Sequence, residues 1–397
     1  MILQDIYSNP NPISFFYKDF EVNNKILLTG HSHQAWPDVA KEGILECYYD
    51  AAKYIDDKWS LAFEKADKLR KHIAYLINCD KYEYIALASN THELLIKFLS
   101  SLDLKNKNKI ITTDGEFHTI RRQLDILNKH FLNVVKINRL DTESLAERIS
   151  NEIDNNTACV IISKVMFSDA AIINNLGIIA DKCQKFGCYL LVDVYHAINI
   201  FPFDIEKEHL ENAFILGGGY KYLQFGEGNC FLRIPESYTN NPIISGWFSE
   251  FDTLTNINKD NIAYGTKHWR FAGATYDPIS HYRASSVIDF FNKHNLNVNL
   301  LREINLQQIK ILNDEFKEKI CNSKLIKFND RKIENFGGFT VFETDYANLI
   351  QNKLRELNVF VDYRGNNLRL GPAPYLSVTQ LQEAIDKLNY VINKLEL

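Results

Sequence analysis

Short apolar runs alternate with longer helix-like runs through the middle of the chain. "KNKIITTD" precedes "TIRRQLDILNKHF", "TACVIISKV" precedes "NNLGIIADKCQKFG", and "CYLLVDV" precedes "HAINIFPFDI". Continuous apolar strands separated by helices are typical of a parallel sheet that is covered on both faces. The sequence therefore predicts an α/β fold built on a large, doubly wound, mainly parallel sheet.

The pattern divides the chain into three parts. The alternation predicts a large α/β domain at 53–280. A long helical stretch from about Tyr282 to Ile320 then precedes short strand-like runs and a closing helix, which indicates a smaller α+β domain at 281–397. We expect the segment 1–52 to complete the smaller domain and the rim of the active site. A chain of 397 residues is long enough for two domains that share a core.

Charge and cysteine usage exclude several classes of protein. A net charge of −5 predicts no binding to nucleic acid or to an anionic membrane. The chain has no 18-residue apolar run and no signal-peptide pattern at its start. Its 7 cysteines are scattered without a C-x-x-C pair, which is typical of reduced thiols and not of a zinc site. We therefore predict a cytoplasmic protein with a small-molecule partner and no metal.

Two residues at predicted strand ends carry the strongest chemical signal. Asp193 closes the run "CYLLVDV", and Lys221 follows the run "NAFILGG" among glycines. Because ligands bind at the carboxyl ends of parallel strands, we expect both side chains in one crevice. A lysine that forms a Schiff base and an acid that keeps a ring nitrogen protonated are what pyridoxal phosphate (PLP) requires. Each residue alone has a commoner structural explanation, but together with His196 beside the ring edge they predict a PLP site.

The same segments carry a family resemblance. The D-x-x-H pattern at Asp193 and His196, the "YKY" around Lys221 and the later "LRLGPAP" resemble the kynureninase branch of the class V, fold-type I PLP enzymes. The resemblance covers roughly residues 28–376. It implies that Lys221 forms the Schiff base, that Asp193 pairs with the pyridine nitrogen and that Tyr220 reaches the phosphate.

The resemblance implies further cofactor contacts. Asn90 and Thr91, in "ALASNTHELL", correspond to the phosphate-binding turn, and a helix start there would favour an anion. Alternatively, one of them only caps that helix. Phe117 in "GEFHTI" corresponds to the aromatic residue that stacks on the cofactor ring. Trp247 and Thr275 correspond to residues that reach the phosphate of a neighbouring subunit, which implies a homodimer with its active sites at the interface. An indole can equally serve as an ordinary core or interface anchor.

Substrate contacts are expected from both ends of the chain. Arg369, in "LRLGPAP", corresponds to the arginine that clamps the substrate carboxylate, a task that suits a planar guanidinium. Arg364 is the local alternative. The segment "GHSHQAWP" borders the substrate pocket in the family, so Ser32, His31 and His33 are candidate substrate contacts. The two histidines are also spaced like metal ligands, but no third ligand lies nearby in the sequence.

The predicted function is that of a PLP enzyme that acts on an amino acid. The resemblance implies hydrolytic Cβ–Cγ cleavage of kynurenine, or of a related aryl-keto amino acid, to alanine and an aromatic acid. Ile120 stands where the family has an aspartate near the cofactor, which predicts altered cofactor electronics. The alternatives are a class V aminotransferase, a β-lyase or cysteine desulfurase with Cys321 as the candidate thiol, and a PLP-binding protein without turnover. A nucleotide loop is disfavoured because Tyr222 follows Lys221 where Ser or Thr is required.

Overall fold

The structure is a computed structural model that describes residues 1–256, 262–328 and 330–396. The α-helices in these ranges are α1 (Val39–Tyr54), α2 (Lys58–Leu76), α3 (Thr91–Ser100), α4 (His118–Asn128), α5 (Leu145–Glu152), α6 (Leu176–Phe186), α7 (Ile279–Lys293), α8 (Val298–Lys319), α9 (Ala347–Glu356) and α10 (Val378–Glu396). The β-strands in the same ranges are β1 (Ile26–Leu27), β2 (Ile85–Ala88), β3 (Lys109–Thr113), β4 (Asn133–Ile137), β5 (Thr157–Ser163), β6 (Tyr189–Asp193), β7 (Phe214–Gly218), β8 (Cys230–Arg233), β9 (Lys327–Phe328), β10 (Thr340–Glu343), β11 (Val359–Phe360), β12 (Asp362–Arg364) and β13 (Asn367–Leu370).

The large sheet has the strand order β2-β8-β7-β6-β5-β3-β4. The strands from β7 to β4 are parallel, and β8 runs antiparallel between β2 and β7. This arrangement confirms the predicted doubly wound α/β fold with a mainly parallel sheet.

Helices cover both faces of the large sheet, which explains why its strands are apolar throughout. Ile110 of β3 packs in the same buried cluster as residues of α3 and α4. The next residue, Ile111, packs in a separate cluster with residues of α5 and α6. Successive side chains of a strand point to opposite faces, so both must be apolar when both faces are covered. Full burial of each such side chain contributes about 1.5–3 kcal/mol to folding.

The C-terminal part contains a smaller sheet of order β12-β13-β10-β9, and β1 from the chain start pairs with β11. The helical stretch predicted from about Tyr282 to Ile320 consists of two helices, α7 and α8. The break contains Asn295 at a positive φ of 54°. Asn297 then caps α8 by accepting the N–H of Leu300 at 3.1 Å. The three-part domain division stays a prediction.

Within the described ranges, no helix combines the length and the apolar character needed to cross a bilayer. The seven cysteines are all free thiols, and most of them are buried.

Candidate active site

A cavity of about 370 Å³ opens at the carboxyl edge of the large sheet. β6 ends on Asp193, β7 ends on Gly218 shortly before Lys221, and α3 begins at Thr91. Parallel strands end at one edge, so residues far apart in sequence meet there. The predicted site residues that line the cavity are Asn90, Thr91, Phe117, Asp193, His196, Tyr220 and Lys221.

Lys221 is buried and contacts His196. Its Nζ lies 2.7 Å from His196 Nε2. Burial lowers the pKa of Lys221 to about 7, with Asp193 opposing the shift and Arg369 adding to it. Burial, and then the charge of Lys221, hold the pKa of His196 well below its usual value. At neutral pH the histidine is therefore neutral, and about half of the lysine is a neutral, nucleophilic amine.

Asp193 is held in place by the chain segment that follows it. Its Oδ1 accepts the backbone N–H of Tyr195 at 2.8 Å. Burial raises the pKa of Asp193 to about 6, while this hydrogen bond and the charge of Lys221 oppose the shift. The group is thus a carboxylate above about pH 6, as an acid that pairs with a protonated ring nitrogen must be.

Glu116 is a second buried acid that the sequence analysis missed. Its Oε1 accepts the hydroxyl of Thr113 at 2.6 Å, and its Oε2 accepts the hydroxyl of Ser163 at 2.5 Å. Burial raises the pKa of Glu116 to about 7, and the nearby charge of Asp193 adds to this shift. Its position shortly after the end of β3 matches that of Asp193 at the end of β6. The strand-end rule could therefore have identified it.

The Glu116→Gln variant tests this assignment through stability. The pKa of Glu116 is raised from 4.5 to about 7 by folding, so its contribution to stability is lost as the pH rises through this range. The amide of glutamine is uncharged like the protonated acid, so the variant does not lose stability when the pH rises. We expect the variant to gain less than ~1 kcal/mol at pH 5 and ~3 kcal/mol at pH 8 in free energy of unfolding. Urea unfolding at both pH values measures this difference in free energy. A gain that does not change with pH contradicts a raised pKa of Glu116.

Ile120 does not face the cavity. It is buried in the cluster that contains Leu124, whereas Thr119 lines the cavity. Glu116 places a different carboxyl group near Asp193, and the effect of Ile120 on the cofactor stays a prediction.

Aromatic rings lie on two sides of the Lys221 amine. Its Nζ is 5.5 Å from the ring centroid of Phe117 and 4.5 Å from that of Tyr195. Phe117 precedes α4 directly and lines the cavity. A planar cofactor ring would find an aromatic surface here, so stacking on Phe117 stays a prediction that the geometry accommodates.

The start of α3 supplies a place for an anion. Asn90 caps the helix, with its Oδ1 accepting the N–H of Glu93 at 2.9 Å. The capping role considered from the sequence is therefore observed for Asn90. Thr91 begins the helix and lines the cavity beside it. Backbone N–H groups and the helix dipole favour a phosphate at such a position.

Arg369 is already paired within the chain. Its Nε donates to Asp362 Oδ1 at 2.7 Å, and its Nη2 lies 2.5 Å from the same oxygen. Its Nη1 donates to the backbone carbonyl of Phe167, which lines the cavity. Arg364 Nη1 lies 3.3 Å from the other carboxylate oxygen of Asp362. Both arginines thus flank one acid at the edge of the site, and the carboxylate clamp stays a prediction.

His31 lies beneath this ion pair. It is fully buried and stacks on Phe339 with the ring centroids 4.5 Å apart. Burial lowers the pKa of His31 to about 3, so the ring is neutral. A Cβ added to Gly371 would lie 2.3 Å from His31 Nδ1, so the ring packs directly against the backbone after β13. His31 is not part of the cavity lining among the described residues, which favours a structural role over the predicted substrate contact.

His33 and Ser32 lie differently from His31. His33 is exposed and stacks on Tyr220 with centroids 4.8 Å apart, and its Nε2 lies 3.9 Å from Glu227 Oε1. Since Tyr220 and Glu227 line the cavity, His33 borders its mouth. The hydroxyl of Ser32 donates to the carbonyl of Thr29 at 3.1 Å and so supports the turn.

Trp247 and Thr275 contact each other. The indole Nε1 donates to Thr275 Oγ1 at 3.3 Å, and Trp247 is 48% exposed. Neither residue is part of the lining of the Lys221 cavity in the described part of the chain. The structure therefore keeps them outside the site of their own chain, and their cross-subunit role stays a prediction.

These contacts fit PLP. Lys221 would hold the cofactor through its aldehyde carbon, and Asp193 would face the ring nitrogen. Phe117 would cover one face of the ring, and Thr91 with the start of α3 would bind the phosphate. The depressed pKa of the amine and the orphaned Nδ1 of buried His196 both indicate a site prepared for a polar ligand.

Known proteins resemble this chain in sequence and in fold. A curated relative, the uncharacterized aminotransferase YcbU of Bacillus subtilis (strain 168), is 23% identical over 356 residues, which cover 87% of this chain and 88% of the relative. A C-DES mutant with glycine covalently linked to the PLP cofactor has a TM-score of 0.82 at 16% identity and covers 95% of this chain and 99% of its own. The apo cysteine desulfurase of Thermococcus onnurineus NA1 has a TM-score of 0.79 at 17% identity. This match covers 97% of this chain and 98% of the desulfurase chain.

The family comparison covers the cavity and the whole of the large sheet. The model of the family "Aminotransferase class-V" matches residues 48–349. The fold is accordingly fold type I, and the cofactor is pyridoxal phosphate. The chain belongs to the class V aminotransferase family of PLP-dependent enzymes.

Proposed function

We propose that the protein acts on an amino acid with an aromatic side chain and hydrolyses the Cβ–Cγ bond of kynurenine or a related aryl-keto amino acid. The observation that carries this proposal is an aromatic cluster at the cavity. Phe167 lies 5.4 Å from Phe117 and 5.7 Å from His118, measured between ring centroids. Such rings favour an aryl group through stacking and edge contacts.

The residues of the chain have distinct tasks in this reaction. When bound, PLP withdraws electrons from the α-carbon of the substrate amino acid. Asp193 would hold a proton at the ring nitrogen. Lys221, as a neutral amine above about pH 7, would take the α-proton and return it. His196 contacts the lysine Nζ and would keep this amine directed into the cavity.

An aminotransferase is the second candidate. The name of the curated relative supports it, and the same lysine and aspartate would serve. The two reactions differ in where the proton is returned and whether water attacks the substrate. The products therefore distinguish the two reactions, whereas the positions of Lys221 and Asp193 are compatible with both.

The thiols of the chain give little support to a desulfurase. Cys230 lines the cavity, but burial raises its pKa to about 12. A thiol with so high a pKa is a poor nucleophile at neutral pH. Cys321 is exposed just after α8 and is not part of the cavity lining in the described ranges. A protein that binds PLP without turnover is also less well supported, because its lysine would not need a pKa of about 7.

A homodimer in the cytoplasm completes the proposal. The segment before Trp247 exposes Ile243 and Ile244, which are 86% and 58% accessible. Exposed apolar side chains beside an exposed indole are typical of a surface that a second subunit covers. The free cysteines are compatible with a reducing compartment.

A product assay tests the reaction. The PLP-loaded protein is incubated separately with L-kynurenine and 3-hydroxykynurenine, and products are identified by mass. We expect alanine with anthranilate or its hydroxylated form, and no product from a Lys221→Ala control. A keto acid in place of alanine would move the assignment to the aminotransferase. A lack of reaction with both compounds would overturn the substrate assignment.

A further inference from the structure

Tyr195 is a buried tyrosine at the floor of the cavity whose hydroxyl has no task in the reaction described above. Its backbone N–H binds Asp193, and its ring centroid lies 4.5 Å from Lys221 Nζ. The residue therefore lies between the two side chains that define the site. Only 7% of its surface is accessible.

The Tyr195 ring fills the space that a side chain at position 218 would need. A Cβ added to Gly218 would lie 2.4 Å from Cε2, Cζ and the hydroxyl oxygen of Tyr195. Gly218 ends β7, the strand adjacent to β6. Its backbone does not require glycine, since its φ is not positive. The close contact with the phenol explains the glycine, so the two positions are coupled.

The phenol points to the cavity end where α3 begins. Its hydroxyl oxygen lies 3.7 Å from Cys230 Sγ. The ring centroids of Tyr195 and Tyr220 lie 4.9 Å apart. Cys230 pairs with Ala88 at the end of β2, and α3 begins at Thr91 shortly after this strand. A neutral thiol is a weak hydrogen-bond partner, so the contact with Cys230 gives the Tyr195 hydroxyl only a weak partner.

We propose that Tyr195 is a cofactor-binding residue whose hydroxyl donates to the phosphate of PLP at the start of α3. The hydroxyl is supplied from the end of β6, and Gly218 leaves room for it at the end of β7. The proposal depends on the cofactor and on the geometry, and it is independent of which reaction the enzyme catalyses.

The Tyr195→Phe variant tests the hydroxyl separately from the ring. The full-length protein is resolved from PLP and titrated with PLP or with pyridoxal, which lacks the phosphate, while visible absorbance is followed. A hydrogen bond to a charged group predicts about 10-fold or more weaker binding of PLP and unchanged binding of pyridoxal. Unchanged binding of PLP overturns the proposal. Equal weakening of both ligands also overturns it, because the phosphate would not be involved.

Tyr222→Phe is the matched control. This tyrosine is also buried next to Lys221, but a Cβ on Gly338 would lie 2.2 Å from its hydroxyl, which places the phenol against a different segment. We expect unchanged affinity for PLP, and circular dichroism with thermal unfolding verifies that both variants fold. A loss equal to that of Tyr195→Phe would overturn the specific role of Tyr195.

Position 218 provides a second, independent test. Gly218→Ser alone should displace the phenol and weaken PLP binding. In the Tyr195→Ala background the serine has room, and its hydroxyl should restore part of the affinity. Native affinity in the single variant, or no recovery in a folded double variant, overturns the coupling of the two positions.

Discussion

Lys221→Ala should reduce turnover by at least ~10³-fold, the scale expected when a positioned acid–base group is removed. The Lys221 amine has a pKa lowered to about 7 and lies 5.5 Å from the ring centroid of Phe117 and 4.5 Å from that of Tyr195. Without it the chain loses both the covalent anchor for PLP and the base for the α-proton. Steady-state rates and the visible absorbance of the bound cofactor measure the two losses separately.

Lys164 provides a control for the removal of a buried lysine. It follows the end of β5 and its Nζ lies 2.7 Å from Glu208 Oε2. It is not among the described residues that line the cavity. Lys164→Met should cost stability and leave the cofactor absorbance unchanged. If Lys164→Met abolishes the absorbance and Lys221→Ala retains it, the lysine has been wrongly assigned.

The pH dependence of PLP capture follows from the same pKa. Only the neutral amine attacks an aldehyde. The rate of cofactor incorporation should therefore rise between pH 6 and pH 8, the range around the pKa of about 7, and stay level at higher pH. A lysine with the ordinary pKa of 10.5 would show a rate that keeps rising to pH 9 and beyond. Stopped-flow absorbance on the cofactor-free protein distinguishes the two profiles.

Asp193→Asn should reduce kcat by about 10³-fold and change the affinity for PLP much less. The amide keeps an oxygen for the N–H of Tyr195, which Asp193 Oδ1 now accepts at 2.8 Å, so the backbone should not move. It cannot carry the negative charge that stabilises a protonated ring nitrogen. Measurement of kcat at saturating PLP, and of the PLP dissociation constant by titration, separates the effect on turnover from the effect on cofactor binding. A variant with native kcat would show that the ring nitrogen does not depend on this acid.

The central residues of the site were predictable because strand ends are visible in a sequence. Asp193 and Lys221 follow apolar runs of β6 and β7, and a parallel sheet brings such ends to one edge. Thr91 was predictable for a related reason, since polar residues before an apolar helix mark its start. The alternation of strands and helices was sufficient for the fold class.

Other features depend on contacts that no local pattern reveals. Asp362 meets Arg369 because β12 and β13 pair in an antiparallel register, and neither residue alone indicates that pairing. His31 is buried because Phe339 and Gly371 pack around it. The break between α7 and α8 depends on Asn295 at positive φ, which a continuous helical pattern conceals.

The pairing of β1 with β11 has a consequence for biosynthesis. Ile26 is opposite Val359, and the N–H of Leu28 binds the carbonyl of Phe360 at 2.9 Å. β1 cannot pair with β11 until the chain as far as Phe360 has left the ribosome. β1 therefore remains without its partner strand while the residues of the large sheet are synthesised. The order of synthesis thus makes the pairing of β1 with β11 a late event in folding.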